Sequence, residues 1–241
     1  MYPDYNNPQQ TPPPYYGGAA VARQTNAVMK RVYVRMFIGL LVSAFCALGV
    51  ASSPAMLSII FGNQIVFWGL IIAMFAMAIL IPVRMLKMSS GTVLALFLVY
   101  SALMGTFLSS IFLAYKMSAI VATFFITAGT FGAMSVYGYF TKTDLTKMGS
   151  FLMMALFGLI IAMLVNIFLK SGTMSYVISI VGVLIFTGLT AWDTQQVKQL
   201  AAANLDPALA DKLATMGAMN LYLDFINLFL FILRIFGGNR D

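Results

Sequence analysis

Long apolar runs, separated by short polar stretches, dominate the pattern along the chain. Four of them, residues 88–115, 117–141, 148–169 and 171–192, contain no Asp, Glu, Lys or Arg. Each is long enough for the roughly 20 residues that a helix needs to cross a bilayer. None alternates polar and apolar positions in the short blocks typical of a transmembrane β-strand. The pattern therefore predicts membrane-spanning α-helices.

Turn-forming residues divide the apolar sequence into seven predicted spanning helices. "SSP" at 52–54 ends the first, because proline and the residue before it disfavour helix. "GNQ" at 62–64 precedes the second. The predicted helices, the first of which begins at residue 36 or a few residues earlier, cover 36–51, 65–83, 91–113, 118–137, 149–169, 174–197 and 213–233.

Two regions follow from this division. Residues 28–241 are expected to form one all-α domain with seven transmembrane helices. Residues 1–27 are expected to form a disordered, Pro- and Tyr-rich cytoplasmic tail, because they are polar and lack the apolar core of a signal peptide.

Composition supports the membrane interpretation and removes several chemistries. The chain is 61% hydrophobic and 9% charged, whereas a soluble domain carries about 25% charged residues. It has no His and no Glu, which excludes His-based zinc sites and Ser-His-Asp triads. Cys46 is the single cysteine, so no intrachain disulfide forms. We expect neither an enzyme nor a bound cofactor.

The net charge of +7 reflects topology rather than nucleic-acid binding, because Lys and Arg cluster at the ends of the apolar runs. Their distribution places the N-terminus in the cytoplasm and the C-terminus outside, with the lipid bilayer as the main partner. Arg234 and Arg240 favour the cytoplasm for the C-terminal tail instead. The alternative is a re-entrant last segment.

Two aspartates, Asp193 and Asp224, fall inside predicted spanning helices. Each costs about 2.5–3.5 kcal/mol at a helix centre, so such residues usually face the bundle interior and carry function. Spacings of three and four residues place polar side chains beside them on one face of each helix. In the seventh helix this face holds Gly217, Asn220, Asp224, Asn227 and Arg234, and in the sixth it holds Thr190, Asp193 and Gln196.

The two polar faces are expected to meet. Helices six and seven are joined by a modest loop and can lie antiparallel, and the aspartates reach one depth if the seventh helix begins somewhat after residue 213. Two apposed carboxylates in a low dielectric cannot both ionise cheaply, so they would share one proton. Arg84 or Lys87, at the end of the second helix, is a plausible counter-ion. Elsewhere Gly129 and Gly132 suggest close helix packing.

Three stretches resemble the Bax inhibitor, or transmembrane Bax-inhibitor-motif, family. They are "SVYGYFTKTDLTKMGSFL" (135–152), "GLTAWDTQQVKQL" (188–200) and "LYLDFINLFLFILRIFG" (221–237). The resemblance covers roughly residues 28–238. Trp192 stands where the family usually has Tyr before the aspartate, which is a conservative difference.

The resemblance implies a fold in which six helices surround the C-terminal one. It implies a pH-sensitive calcium leak channel, with Asp193 and Asp224 as the gating pair and as weak, transient calcium ligands. Asn220, Asn227, Thr190 and Gln196 are then candidates for lining the pore. It also implies a bacterial inner membrane location, and an alternative role as a regulator that binds a membrane-bound ATP-dependent protease.

Other classes of membrane protein fit the residues poorly. An intramembrane aspartyl protease needs a Gly-x-Gly-Asp motif, and Asp224 follows "LYL" instead. A retinal protein needs a lysine in its last helix, and residues 213–233 contain none. A non-channel regulator that acts by contact through its N-terminal tail stays compatible with the sequence.

Overall fold

The fold is known from a computed structural model, which describes residues 18–203 and 205–237. In these ranges the chain forms α-helices, one 3₁₀ turn at Met85–Lys87 and no strand. The helices are α1 Gly18–Ala51, α2 Pro54–Gly62, α3 Gln64–Arg84, α4 Ser90–Leu108, α5 Ile111–Ala114, α6 Met117–Phe140, α7 Thr146–Leu169, α8 Gly172–Ala202 and α9 Pro207–Phe236. Seven helical segments of the described chain are long and apolar enough to cross a membrane, which confirms the predicted all-α, seven-span class.

The first helix starts well before the predicted position. α1 begins at Gly18, so residues 18–27, which the sequence assigned to the tail, are helical; residues 1–17 lie outside the described ranges. Charged residues such as Arg23 and Lys30 made this segment too polar to be recognised as a helix, although it carries an apolar face at helical spacing. The residues of that face that are buried in the structure are Thr25, Val28, Met29, Val32 and Met36.

The two turn signals act as helix caps rather than as loops. Ser53 accepts a hydrogen bond from the backbone N–H of Met56 and starts α2, which occupies the connection predicted between the first two spans. Asn63 then accepts from the N–H groups of Ile65 and Val66 and starts α3. The chain therefore turns twice within a few residues and keeps most of its backbone hydrogen-bonded, as a membrane protein requires.

α9 is the central helix of the bundle. Of its most apolar 18-residue window, 72% is buried, against 11% for the span of α3 and 6% for α7. It packs against α8, α1, α6 and α4. The remaining two spans lie further out, with α3 packed mainly against α4 and α7 mainly against α8.

One side of α9 is fixed by a buried polar network. The hydroxyl groups of Tyr222 and Ser43 lie 2.7 Å apart, and the Ser43 hydroxyl also reaches the carbonyl of Ser101 at 2.7 Å. The Tyr222 ring packs edge-on against Phe97 and Tyr100. These contacts hold α9 against α1 and α4 and set its rotation, so its opposite side is turned towards α8.

Close helix packing occurs at other glycines than those predicted. A Cβ at Gly105 would collide with the backbone of Ser43, and one at Gly138 with the backbone of Ala191. A Cβ at Gly129 or Gly132 would meet nothing within 4 Å. The close approaches of α4 to α1 and of α6 to α8 therefore depend on Gly105 and Gly138.

Candidate functional site

Asp193 of α8 and Asp224 of α9 come together inside the bundle. Asp224 is 4% exposed and Asp193 is partly buried. Their side chains lie within hydrogen-bonding reach of each other. An ionised carboxylate only accepts hydrogen bonds, so a bond between the two exists only when one of them holds a proton.

The aspartates meet although α9 starts earlier than the sequence suggested. It begins at Pro207, not after residue 213, and Asp206 caps it by accepting from the N–H groups of Ala208 and Leu209. α8 ends at Ala202. The first turn of α9 contacts α4 instead, where the Ser90 hydroxyl donates to the carbonyl of Ala208. The extra turns therefore extend past α8 and leave the two aspartates at one level.

A cavity of about 630 Å³ lies beside the pair, between α7, α8 and α9. The predicted polar face of α9 lines it. The members of that face are Gly217, Asn220, Asp224, Asn227 and Arg234, and all five contact the cavity. From α8, Asp193 and Gln196 contact it as well. The helical spacing thus identified the polar part of the wall.

Thr190 was predicted to share this face and does not contact the cavity. Its side chain is fully buried, and its hydroxyl donates to the carbonyl of Phe186 at 2.7 Å. At 3.6 residues per turn, Thr190 and Gln196 lie about 60° to opposite sides of Asp193, and the side of Gln196 is the one that contacts the cavity. Asn227 is different: its amide nitrogen donates to the carbonyl of Leu223 at 2.8 Å, and the residue contacts the cavity.

The predicted counter-ions do not reach the pair. Arg84 ends α3 and Lys87 lies in the 3₁₀ turn; neither forms an ion pair with Asp193 or Asp224, and neither contacts the cavity. The reason is packing, because α3 lies against α4 and not against α8. The cation that lines the cavity is Arg234, ten residues beyond Asp224, or about 15 Å along the helix.

A second charged cluster, absent from the sequence predictions, joins α1 to the start of α9. Arg35 donates to the carboxylate of Asp211 at 2.6 Å, to the backbone carbonyl of Asp211 at 2.6 Å and to the hydroxyl of Thr215 at 2.8 Å. Arg31 reaches the same carboxylate oxygen at 3.4 Å. The signal in the sequence was the four-residue spacing of Arg31 and Arg35 and of Asp211 and Thr215, which gives each helix one matching face.

Gln195 and Lys198 fasten α8 to the connection between α6 and α7. The Gln195 amide accepts from the N–H of Leu145 and donates to the carbonyl of Thr143, both at 2.8 Å. Lys198 donates to the carbonyl of Tyr139 at 2.5 Å, and its ammonium lies 4.6 Å from the centre of the Tyr139 ring. Both residues follow Asp193 in the chain and fix the end of α8 that carries it.

The oxygen atoms at the pair suit a weakly held hard cation. Within residues 18–203 and 205–237, no group of three or more His, Cys, Asp or Glu residues could hold a metal ion. Oδ2 of Asp224 is nevertheless buried and has no hydrogen-bond partner in this part of the chain. With the amide oxygens of Asn220, Asn227 and Gln196 nearby, the set falls short of the six to eight oxygens that calcium prefers.

Comparison with known proteins places the chain among membrane proteins of one family. The family described as "Inhibitor of apoptosis-promoting Bax1" matches residues 25–241. The chain belongs to the Bax inhibitor family. The match begins at the buried face of α1, so the family region includes both aspartates and the Arg35–Asp211 cluster.

Bacterial members of the Bax inhibitor family resemble the chain along nearly their whole length. A protein of Borreliella burgdorferi is 48% identical over 217 residues, which cover 90% of this chain and 94% of the relative. Inner membrane protein YbhL of Escherichia coli K12 is 47% identical over 214 residues, covering 88% and 92%. Protein RP147 of Rickettsia prowazekii is 42% identical over 217 residues, covering 88% and 90%.

Proposed function

We propose that this protein is a pH-dependent leak channel for calcium, gated by the Asp193–Asp224 pair. One observation carries the proposal: two carboxyl groups meet within the membrane-spanning part of the bundle, beside a cavity and without an ion pair to any described residue. A buried acid pair of this kind is costly to maintain in a membrane, and such residues typically mark ion or proton pathways.

Calcium is the ion that the donor atoms favour. Carboxylate and amide oxygens are hard ligands, which select calcium or magnesium over softer metals. Magnesium demands a strict octahedral arrangement and gives up its water reluctantly, whereas calcium tolerates irregular ligand sets. With few protein oxygens at the pair, the ion is held briefly, which suits slow passage rather than storage.

Protons bind to the same two carboxyl groups, those of Asp193 and Asp224. The charged side chains that line the cavity are Asp193 from α8 and Asp224 and Arg234 from α9; α7 and α1 contribute apolar residues. With one proton shared, the pair carries a single negative charge and joins α8 to α9. Losing or gaining a proton changes both the charge offered to calcium and the bond between the helices, so flux depends on pH.

The proposed membrane location and orientation rest on the distribution of Lys and Arg and on the relatives. We propose the bacterial inner membrane, since the relative YbhL is called an inner membrane protein. We also propose a cytoplasmic N-terminus, which is supported by the excess of Lys and Arg at the end of the bundle where α1 begins. α9 is one continuous helix from Pro207 to Phe236, whereas a re-entrant segment needs a break. The protease-binding alternative stays a prediction.

Calcium uptake into proteoliposomes tests the proposal. The protein is reconstituted into vesicles loaded with a calcium-sensitive dye, beside protein-free vesicles. We expect uptake above the protein-free rate, and lower uptake for Asp193→Asn and Asp224→Asn, because each removes a carboxylate from the pathway. Asp144→Asn, outside the membrane-spanning helices, serves as the control and retains the wild-type rate. Unchanged uptake in both pair variants would contradict the gating role.

A further inference from the structure

The cavity beside the aspartate pair has a mainly apolar wall, which the binding of an inorganic ion does not require. Apart from the pair, three amides and Arg234, its lining is apolar or aromatic. Met153, Leu156, Ile160 and Met163 of α7 form one side of it. A hydrated ion gains nothing from such a surface, whereas an apolar molecule gains free energy for every part of its surface removed from water. The volume of about 630 Å³ lies within the range of small-molecule sites.

Charge and aromatic groups are distributed unevenly in this cavity. Two carboxyl groups lie on one stretch of the wall, and Oδ2 of Asp224, in a side chain 4% exposed, has no partner within the described ranges. Trp192, next to Asp193, also contacts the cavity, and its indole ring packs against Gly149 of α7. Arg234 lies towards the other end, over the ring of Phe231 at 5.9 Å. One stretch of the wall therefore attracts a cation, and the other repels it.

We propose that the cavity binds hydrophobic organic cations, with the charged group beside Asp193 and Asp224 and the apolar body along α7 and α8. The carboxylates neutralise the charge of the ligand. Flexible methionines on α7 allow the wall to adapt to bodies of different shape. Binding requires only the cavity and the acid pair, so it does not depend on whether calcium passes through the protein.

Binding of tetraphenylphosphonium to the full chain in phosphatidylcholine nanodiscs tests this site. Tetraphenylborate has the same shape and the opposite charge, and empty nanodiscs correct for partition into lipid. We expect saturable binding of the cation and none of the anion. Asp193→Asn and Asp224→Asn are each expected to weaken it by about tenfold or more, as for loss of one partner of a buried charge contact.

Two further variants separate the effect of the carboxylate charge from the effect of the cavity volume. Ile160→Trp fills the cavity from α7, whose outer position tolerates a larger side chain, and should weaken binding with both carboxylates intact. Asp144→Asn should bind as the wild type does. The proposal is overturned if no saturable binding occurs, if both Asn variants bind the cation as tightly as the wild type, or if tetraphenylborate binds equally well. Since the readout is binding, a missing calcium leak leaves this result unaffected.

Discussion

Two aspartates of α9, Asp211 and Asp224, face opposite electrostatic surroundings on one helix. Asp211 accepts from Arg35 at 2.6 Å and lies 3.4 Å from Arg31, both on α1. Asp224 lies against Asp193 of α8, and no ion pair within residues 18–203 and 205–237 neutralises it. The first carboxylate is held by opposite charge near the end of the bundle; the second meets another carboxyl group deep inside it.

The difference separates a structural charge from a functional one. A carboxylate paired with two arginines fastens α9 to α1. A carboxylate that faces another has a state that depends on how many protons the pair holds. The bundle therefore has a fixed contact at the start of α9 and a proton-dependent contact further along it.

Removing Arg35 should have the largest effect on stability. Breaking a fully buried ion pair costs about 3–5 kcal/mol, and partial exposure reduces this to about 2–3 kcal/mol for Arg35→Ala. The side chain of Arg35 is 14% exposed and that of Arg31 is 53% exposed. Arg31→Ala, the matched control, should therefore cost less than about 1 kcal/mol. Unfolding in detergent measures both, and equal losses would show that Arg35 is not the main contact.

The same substitution at the two aspartates should act in opposite directions. Asp211→Asn removes the charge that Arg35 pairs with and should lower the free energy of unfolding by about 1–2 kcal/mol. Asp224→Asn replaces a buried carboxyl group of the pair by a neutral amide and should leave stability unchanged or raise it by up to about 1 kcal/mol. Parallel thermal unfolding of the two variants checks this. Destabilisation of both by similar amounts would mean that Asp224 has a structural role.

A positive charge placed beside the Asp193–Asp224 pair should make it resemble the Arg35–Asp211 ion pair. Asn220 lines the cavity one helical turn before Asp224, so Asn220→Arg places a positive charge within reach of the carboxylate. Pairs at this spacing contribute about 0.2–0.5 kcal/mol. The larger consequence is on calcium uptake, which should fall because the site is already neutralised. Asn220→Gln keeps the charge unchanged and should retain uptake; equal uptake by both variants would argue against passage beside Asn220.

A third carboxylate, Asp144, gives the smallest effect and a defined pH dependence. The hydroxyl of Thr146, then its backbone N–H, donates to Asp144 and lowers the pKa of this exposed carboxyl, with a smaller contribution from Lys147. A depressed folded-state pKa stabilises the protein above the unfolded-state value, and that contribution is lost as the pH falls through the folded-state value. Asp144→Asn should therefore lower Tm by about 1–2 °C at neutral pH.

Melting curves measured at acid pH check the predicted effect of Asp144→Asn. Melting curves of the wild type and Asp144→Asn should converge once the carboxyl of the wild type is protonated. A difference in Tm that persists unchanged in acid would mean that the carboxylate charge does not support the start of α7.

Much of the fold could be read from the sequence, because the membrane imposes a simple rule. A spanning helix must be long and nearly free of charge, so charge-free runs located most of the seven spans. The start of α1 was missed because Arg23, Lys30 and Arg31 made a helical segment look like a polar tail. α2 was missed because Ser53 and Asn63, which mark turns in a sequence, cap helices in the structure.

The site was predictable where it depends on one helix and not where it depends on neighbours. Spacing along α9 identified the face of Asn220, Asp224 and Asn227, since helical geometry alone determines it. Partners depend on which helices pack together, which spacing does not reveal. Arg84 was therefore assigned to a pair that it does not reach, and the contact of Arg35 with Asp211 was missed.

The pH profile of calcium uptake, measured from acid to alkaline conditions, tests the gating pair most directly. Wild type and the double variant Asp193→Asn, Asp224→Asn are compared in the same proteoliposomes, with Asp144→Asn as a control for loss of another carboxylate. We expect wild type and Asp144→Asn to show one pH dependence, and the double variant to take up calcium slowly at a rate that does not change with pH. A double variant that retains the wild-type pH dependence would contradict gating by the pair.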